Sequence, residues 1–140
     1  MYTTSLTWIK GLQFIAHANS KHGIVIDTSE KGGGFGTGNG PMEMVLEALA
    51  GCSAMDVVSI LQKKRQKMTE FHIDVKGERA EEHPRVYTKI HLKYTIEGRD
   101  ISEKAVRDAI ELSKNKYCSV SAMLAKTAKI TYDLDIRNSE

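Results

Sequence analysis

Two cysteines, Cys52 and Cys118, are the residues of this chain best suited to chemistry, because a pair of thiols can pass between dithiol and disulfide. They lie 66 positions apart, so they do not form a Cys-x-x-Cys motif and only the fold can bring them together. The alternative is two ordinary buried thiols, since free cysteine packs well as a small apolar residue. The elements that position the two cysteines decide between these interpretations.

The two cysteines differ in their predicted local settings. Cys52 lies inside a predicted helical run, residues 41–58, and gains little charge stabilisation from the middle of its own helix. Cys118 follows a second predicted helix, at the point where a new helical turn begins. The N-terminus of that turn and the nearby Lys114 and Lys116 favour a thiolate, so we expect a lowered pKa for Cys118.

Composition and charge argue against two kinds of partner. The formal net charge of +2 is too small to indicate nucleic-acid binding, and the one basic cluster, residues 63–67, is predicted to be a solvated helix end. No stretch reaches the roughly 20 apolar residues of a membrane span, because Asp56 and flanking lysines interrupt the best candidate. We therefore expect no nucleic-acid partner and no membrane.

The use of cysteine also depends on the cell compartment. The first residues lack the basic and apolar regions of a secretion signal, so we expect a cytoplasmic protein. In that reducing compartment a pair of cysteines is more often redox-active than structural. The two cysteines have no ligand-pair spacing and the five histidines form no cluster, so we expect no metal and no cofactor.

Hydrophobic patterning predicts an α+β fold in a single domain, residues 1–140. A helix from Pro41 to about Lys67 is apolar on most sides, which is typical of a central helix. The glycine-rich segment that precedes this helix, residues 31–40, is predicted to be a mobile connector. The element order is β-β-β-α-β-β-α-α-β, with mostly antiparallel strands predicted at 3–9, 14–19, 23–27, 71–76, 86–96 and 130–136, and a short helix at 118–126. Ser102 is predicted to cap the helix that precedes Cys118, and Tyr94 to lie on the apolar face of its strand.

Three segments of the chain resemble the OsmC/Ohr family of thiol-dependent hydroperoxide reductases. They are residues 40–58 around Cys52, residues 83–87 (His-Pro-Arg-Val-Tyr) and residues 112–120 around Cys118. The chain is most similar to the uncharacterised OsmC-like branch. The resemblance implies an OsmC-like fold, in which antiparallel sheets wrap around the long central helices of an intertwined homodimer with active sites at the subunit interface.

The resemblance also implies a mechanism and a set of partners. Cys52 would attack a hydroperoxide, expected to be an organic one, and become a sulfenic acid. Cys118 would then form a disulfide with Cys52, and an external dithiol would restore both thiols. The expected partners are thus a second copy of the chain, a small hydroperoxide and a dithiol reductant.

The chain departs from the peroxidase pattern in the charged residues around the first cysteine. That pattern has an arginine just after the first strand, where this chain has Lys10, and a glutamate directly after the helix proline, where Glu43 comes one position later. Glu43 and Glu47 would lie on the far side of a regular helix from Cys52. Lys10, Arg85, Glu43 and Glu47 are the candidate charge partners. A second hypothesis follows, in which the protein lacks efficient peroxidase activity and binds a small apolar or thiol ligand at the dimer interface.

Overall fold

A computed structural model describes residues 1–139, and the chain divides into two compact units. The first unit is Met1–Val45 and the second begins at Leu46. The elements follow in the predicted order, so the α+β class is confirmed. The expectation of one domain over residues 1–140 stays a prediction.

The first unit contains a three-stranded antiparallel sheet. Its strands are β1 (Thr4–Lys10), β2 (Gln13–Ala18) and β3 (Gly23–Ile26), in the order β1-β2-β3. The turn between β1 and β2 uses Gly11 with φ +57, a left-handed conformation that suits glycine. Each predicted strand is confirmed to within one residue at either end.

The glycine-rich segment is organised around a single carboxylate rather than left as a connector without fixed contacts. Asp27, which is only 2% exposed, accepts hydrogen bonds from the backbone N–H groups of Thr28, Phe35 and Thr37 and from the Thr37 hydroxyl. A Cβ atom on Gly34 would collide with this carboxylate, so glycine is required where the loop passes it. Sequence patterning missed this loop because one buried aspartate leaves no periodic signal.

The long helix α1 (Pro41–Lys63) is shorter than predicted. At its start the Glu43 carboxylate accepts a hydrogen bond of 2.9 Å from the Gly40 N–H, which is half of a capping box. At its end Arg65 has φ 57 and Lys67 already begins the next strand, so the predicted helical continuation to Lys67 is wrong. The left-handed residue ends the helix because right-handed helical geometry requires a negative φ.

Helix α1 is long and apolar enough, by length and composition alone, to cross a membrane. An 18-residue window within it has a mean hydropathy of 1.7, and 22% of that window is buried within the chain. The expectation that no segment reaches such a length was therefore wrong, because Asp56 and the flanking lysines interrupt the run less than assumed. A central helix of a soluble protein has the same composition, so this property alone does not indicate a membrane.

The second unit contains a sheet with strand order β4-β5-β6. Strands β4 (Lys67–Arg79) and β5 (Tyr87–Arg99) pair antiparallel, whereas β5 pairs parallel with β6 (Lys129–Asn138). The expectation of mostly antiparallel strands is thus confirmed, with β5 and β6 as one parallel pair that the sequence did not reveal. A parallel neighbour needs a long crossover connection, and the chain supplies one between β5 and β6.

That crossover contains three helical segments. Helix α2 (Glu103–Leu112) begins at Ser102, whose hydroxyl accepts a hydrogen bond from the Ala105 N–H, as predicted. A π-helical turn (Ser113–Tyr117) follows, and the short helix α3 (Ser119–Leu124) comes next. The core of the second unit combines α1, the sheet and α2; its fully buried large side chains are Leu49, Val57, Leu61, Ile90, Ile96, Val106 and Ile110.

Candidate functional site

Helix α1 and the crossover bring the two cysteines together. Cys52 lies on α1 with Asp56 one turn later, and Cys118 lies between the π-helical turn and α3. The two Sγ atoms and one Asp56 carboxylate oxygen all lie within 4.8 Å of one another. We call Cys52, Asp56 and Cys118 the thiol–carboxylate cluster. Both cysteines are in the reduced form.

Local backbone geometry fixes the position of Cys118. Its N–H donates a hydrogen bond of 2.8 Å to the Ser113 carbonyl, across the π-helical turn. Its Sγ accepts a hydrogen bond from the Ser121 N–H at 3.3 Å, so the cysteine caps the N-terminus of α3. The residue is 3% exposed, whereas Cys52 is half-buried. Of the two thiols, Cys52 is therefore the more accessible.

The ionisation of Cys118 differs from the prediction. Burial, together with a hydrogen bond to the Cys52 thiol and the nearby negative charge of Asp56, raises the pKa of Cys118 to about 11. The Ser121 N–H opposes this shift but does not overcome it. The expected lowering by Lys114 and Lys116 is wrong, because burial outweighs the single helix N–H and neither lysine is among the groups that shift this thiol.

Hydroxyl groups complete the polar surroundings of the cluster. Ser113 donates a hydrogen bond of 2.9 Å to Asp56 Oδ2, which ties α1 to the crossover. Ser53, next to Cys52, shares a hydrogen bond with the Tyr94 hydroxyl of β5, and both residues are buried. Burial raises the pKa of Tyr94 and outweighs the opposing Ser53 hydrogen bond. Tyr94 therefore stays a neutral hydroxyl beside the thiols.

A small cavity lies against Cys118 in the second unit. Its volume is about 20 Å³, and Ser53, Tyr94, Ser113 and Cys118 contribute to its lining. A cavity of this size holds about one water molecule when polar partners line it. The thiol thus faces a space that accepts a small polar molecule, whereas most of the cavity wall is apolar.

Two of the predicted charge partners lie in the first unit. Lys10 ends β1, and its Nζ lies over the Phe35 ring at 6.0 Å from the ring centroid. Glu43 binds the Gly40 N–H at the start of α1. Glu43 is therefore explained as a capping residue, and a role for Lys10 at the thiols stays a prediction.

The other two predicted charge partners lie in the second unit. Arg85 lies in the loop between β4 and β5, where its Nε donates to the Ala80 carbonyl at 3.2 Å. Glu47 is an exposed residue of α1. Neither belongs to the thiol–carboxylate cluster, in which the charged residue is Asp56. No described lysine or arginine, among residues 1–139, forms an ion pair with Asp56.

Sequence reasoning missed the hydroxyl residues of the site. Ser113 and Ser121 carry no motif, and their roles arise from the π-helical turn, which a pattern of apolar residues does not reveal. Tyr94 was predicted on the apolar face of its strand, where it does lie, without a polar role. Only the position of Asp56, one turn after Cys52, could have indicated the carboxylate.

The cluster also has the composition of a metal-ligand set. Two thiols and a carboxylate offer three donor atoms at a common point, although their sequence spacing follows no known pattern. The expectation of no metal rested on the sequence spacing of the cysteines, and spacing does not show that Asp56 lies beside them. What the arrangement can do chemically is thus either to cycle between dithiol and disulfide or to hold a thiophilic cation.

The fold and the site together define a small α+β protein with two neighbouring thiols and buried hydroxyl groups beside them. Comparisons with known proteins identify its family. The model of the OsmC-like protein family matches residues 34–133. Protein YhfA of Escherichia coli (strain K12) is 44% identical over 129 residues, which cover 92% of this chain and 93% of that protein. The chain belongs to the OsmC family, as its resemblance implied.

Solved structures agree with this assignment. A hypothetical protein from Aquifex aeolicus VF5 has a TM-score of 0.83 and 31% identity, covering 99% of this chain and 98% of its own. An organic hydroperoxide resistance protein OsmC from Legionella pneumophila has a TM-score of 0.71 at 8% identity, with 96% of each chain covered. The second likeness concerns the fold alone, and with the first it confirms the OsmC-like architecture.

Proposed function

We propose that this protein is a thiol-dependent hydroperoxide reductase that uses Cys52 and Cys118. The observation that carries the proposal is the approach of two reduced sulfurs to within 4.8 Å on an OsmC-like scaffold. Membership of the family supports a peroxidase-type stress protein at the family level. The name of the Legionella pneumophila structural relative, an organic hydroperoxide resistance protein, points to the same class.

Accessibility supports Cys52 as the nucleophile. Cys52 is half-buried on α1, whereas Cys118 is 3% exposed. The Cys52 thiolate attacks the distal oxygen of ROOH and breaks the O–O bond; the leaving alkoxide takes a proton and departs as ROH. Cys52 is thereby oxidised to the sulfenic acid Cys–SOH, and the peroxide is reduced by two electrons.

The surroundings of Cys118 support it as the second thiol. Its raised pKa keeps it protonated until the sulfenic acid forms within reach. Its sulfur then bonds to the Cys52 sulfur, and the departing hydroxyl takes the thiol proton and leaves as water. An external dithiol reduces the disulfide by exchange, which returns two thiols and yields an oxidised reductant.

Exposed apolar side chains support an organic hydroperoxide and a dimeric protein. Met55, on α1 between Cys52 and Asp56, is 78% exposed, and Met123 of α3 is 65% exposed. An apolar surface of this kind is typical of a protein interface or a binding groove. We infer an intertwined homodimer, soluble in the cytoplasm, with no nucleic-acid or membrane partner, in which a second chain covers α1.

The experiment that tests the function is a steady-state assay of peroxide consumption. Reduced protein and dithiothreitol are given cumene hydroperoxide or hydrogen peroxide, with Cys52→Ser, Cys118→Ser and the neighbouring control Ser119→Ala in parallel. We expect consumption to fall to background in Cys52→Ser, to be much reduced in Cys118→Ser and to be unchanged in Ser119→Ala. Equal rates in Cys52→Ser and the parent protein would refute the proposal.

The second candidate function, binding of a thiol or small apolar ligand, is favoured by the charge of the site. Asp56 approaches both sulfurs and no described lysine or arginine forms an ion pair with it, so its negative charge opposes a thiolate at the cluster. A peroxidase needs that thiolate, whereas a binding protein does not. Saturable binding of a low-molecular-weight thiol or fatty acid, together with no peroxide consumption, would establish it over the peroxidase.

A further inference from the structure

The thiol–carboxylate cluster brings together three donors that suit a borderline-soft cation. Thiolate sulfur and carboxylate oxygen are both common ligands of Zn²⁺. We propose that Cys52, Asp56 and Cys118 form a binding site for a divalent cation of the zinc class. Metal binding requires only the reduced protein and no peroxide, so this proposal does not depend on the peroxidase activity.

The distances between the donors suit tetrahedral zinc. Zn–S bonds of about 2.3 Å and a Zn–O bond of about 2.0–2.2 Å place neighbouring donors roughly 3.5–3.8 Å apart. The three donor atoms lie within 4.8 Å of one another, at most about 1 Å beyond this spacing, so a small approach of the side chains would bring them onto one ion.

The hydrogen bonds around the cluster orient its metal-binding atoms and still leave them able to bind an ion. Ser113 donates to Asp56 Oδ2, which leaves the other carboxylate oxygen for a metal. The Ser121 N–H donates to the Cys118 sulfur, as backbone N–H groups do to thiolate ligands. Such outer contacts fix the direction of a ligand before the ion arrives.

The charge of the cluster also favours a cation. Metal-bound cysteines are thiolates, so two of them and Asp56 together carry three negative charges, at a place where Cys118 is buried and the other two residues are half-buried. Among residues 1–139 no lysine or arginine forms an ion pair with Asp56. A divalent ion would compensate most of this charge, whereas the protein supplies no ion-pair partner for it.

Three protein ligands leave the fourth tetrahedral position open. Zinc sites with three protein ligands typically hold water or an exchangeable ligand in that position. Because a bound ion would occupy both sulfurs, the metal-loaded protein could not form the disulfide.

The test measures metal binding by the full-length reduced protein under anaerobic conditions. Cd²⁺ is titrated while the ultraviolet charge-transfer absorption of cadmium–thiolate bonds is recorded, and Zn²⁺ affinity is measured by competition with a chromogenic chelator. The variants are Cys118→Ser and Asp56→Asn. The matched control is Asp108→Asn, the same change at an aspartate of α2 that pairs with Lys104.

We expect one ion per chain, at least tenfold weaker Zn²⁺ binding in Asp56→Asn and unchanged binding in Asp108→Asn. Cys118→Ser should lose about half of the cadmium–thiolate absorption, which shows that both sulfurs bind the same ion. Circular dichroism of each variant checks that it is folded. Absence of the absorption in the parent protein, or equal affinity in the two aspartate variants, would overturn the three-donor site.

Discussion

The two units of the chain bury opposite kinds of groups. Among the described residues 1–139, every large apolar side chain that is buried lies in the second unit, from Leu49 onward, whereas the first unit buries Asp27 and exposes Leu6, Trp8 and Ile24. Burial of apolar area is the main force that stabilises a folded domain. Within residues 1–45, all of them described, the first unit has no such core, and its buried contacts are the polar ones of Asp27.

The two units also shift the pKa of a buried ionisable group in opposite directions. The side-chain hydrogen bond from Thr37, assisted by three backbone N–H groups, lowers the pKa of Asp27 to about 2 against the effect of burial. Burial and negative neighbours raise the pKa of Cys118 to about 11. The difference shows that a buried group is charged where enough donors face it and neutral where burial outweighs its donors.

The largest effect is expected from removal of the Asp27 carboxylate. Asp27→Ala leaves the donors of Thr28, Phe35 and Thr37 without their acceptor, so the loop loses its fixed form. We expect Tm to fall by at least several degrees and limited proteolysis to begin within residues 28–40. The control Asp74→Asn, at an exposed aspartate beside His72, should change neither. An unchanged Tm in Asp27→Ala would contradict the polar account of the first unit.

A somewhat smaller effect is expected at the hydroxyl pair of the second unit. Ser53→Ala leaves the buried Tyr94 hydroxyl without its partner, at a cost of about 1–3 kcal/mol in the free energy of unfolding. Adding Tyr94→Phe removes the unpaired group, so the double variant should regain part of that loss. Urea unfolding of the two single variants and the double variant measures this coupling. Strictly additive effects would mean that the two hydroxyls do not interact.

The free energy of unfolding should depend on pH at both ends of the pH range, through Asp27 in acid and through Cys118 in alkali. Asp27 has a folded pKa below its ordinary 3.8, so its contribution is complete above pH 3.8 and is lost as the pH falls through about 2. Cys118 has a folded pKa above its ordinary 9.0, so its contribution is complete below pH 9.0 and is lost as the pH rises towards about 11.

Variants separate these two limbs of the pH profile. Cys118→Ala should flatten the alkaline loss of stability in thermal unfolding, although Tyr94 and Tyr132, whose pKa values are also raised by burial, retain part of it. The neighbouring control Ser119→Ala should keep the parent profile. An alkaline limb in Cys118→Ala that equals the parent's would show that this thiol is not held neutral by the fold.

The smallest expected effect concerns the carboxylate of the cluster. Asp56 contributes to the raised pKa of Cys118, after burial and Cys52, so Asp56→Asn should lower that pKa modestly. A fall of one pKa unit raises the thiolate fraction by up to about tenfold. A modest fall should therefore raise the rate of Cys118 alkylation, in a Cys52→Ser background at pH 9, by about two- to fivefold. Mass spectrometry of the labelled peptide measures the rate. A slower reaction in Asp56→Asn would reverse the assigned sign.

Local patterns predicted most elements of this fold. Alternation predicted β4, β5 and β6, and the Ser102 cap and the apolar run predicted α2 and α1. The patterns did not predict the end of α1, because one left-handed residue, Arg65, stops a sequence that is otherwise compatible with a helix. Parallel pairing of β6 also left no local signal, since it depends on the path of the crossover.

The sequence predicted the two cysteines of the candidate site but not the polar groups around them. Cys52 and Cys118 stood out by residue type and by family resemblance, and the structure brings them together. The polar partners of the thiols come from α1, β5 and the crossover, so no single segment of sequence contains their pattern. The pKa of Cys118 was predicted in the wrong direction because burial depends on packing that a local sequence does not reveal.

The parallel pairing of β5 with β6 has a consequence for the timing of synthesis. Cys118 lies in the crossover between these strands, and β6 (Lys129–Asn138) is synthesised after both cysteines. Contacts between residues far apart in sequence form late, because closing the intervening loop costs entropy first. A nascent chain in which β6 has not yet paired lacks the contacts that fix the crossover, and we expect its two thiols to come together only after that pairing.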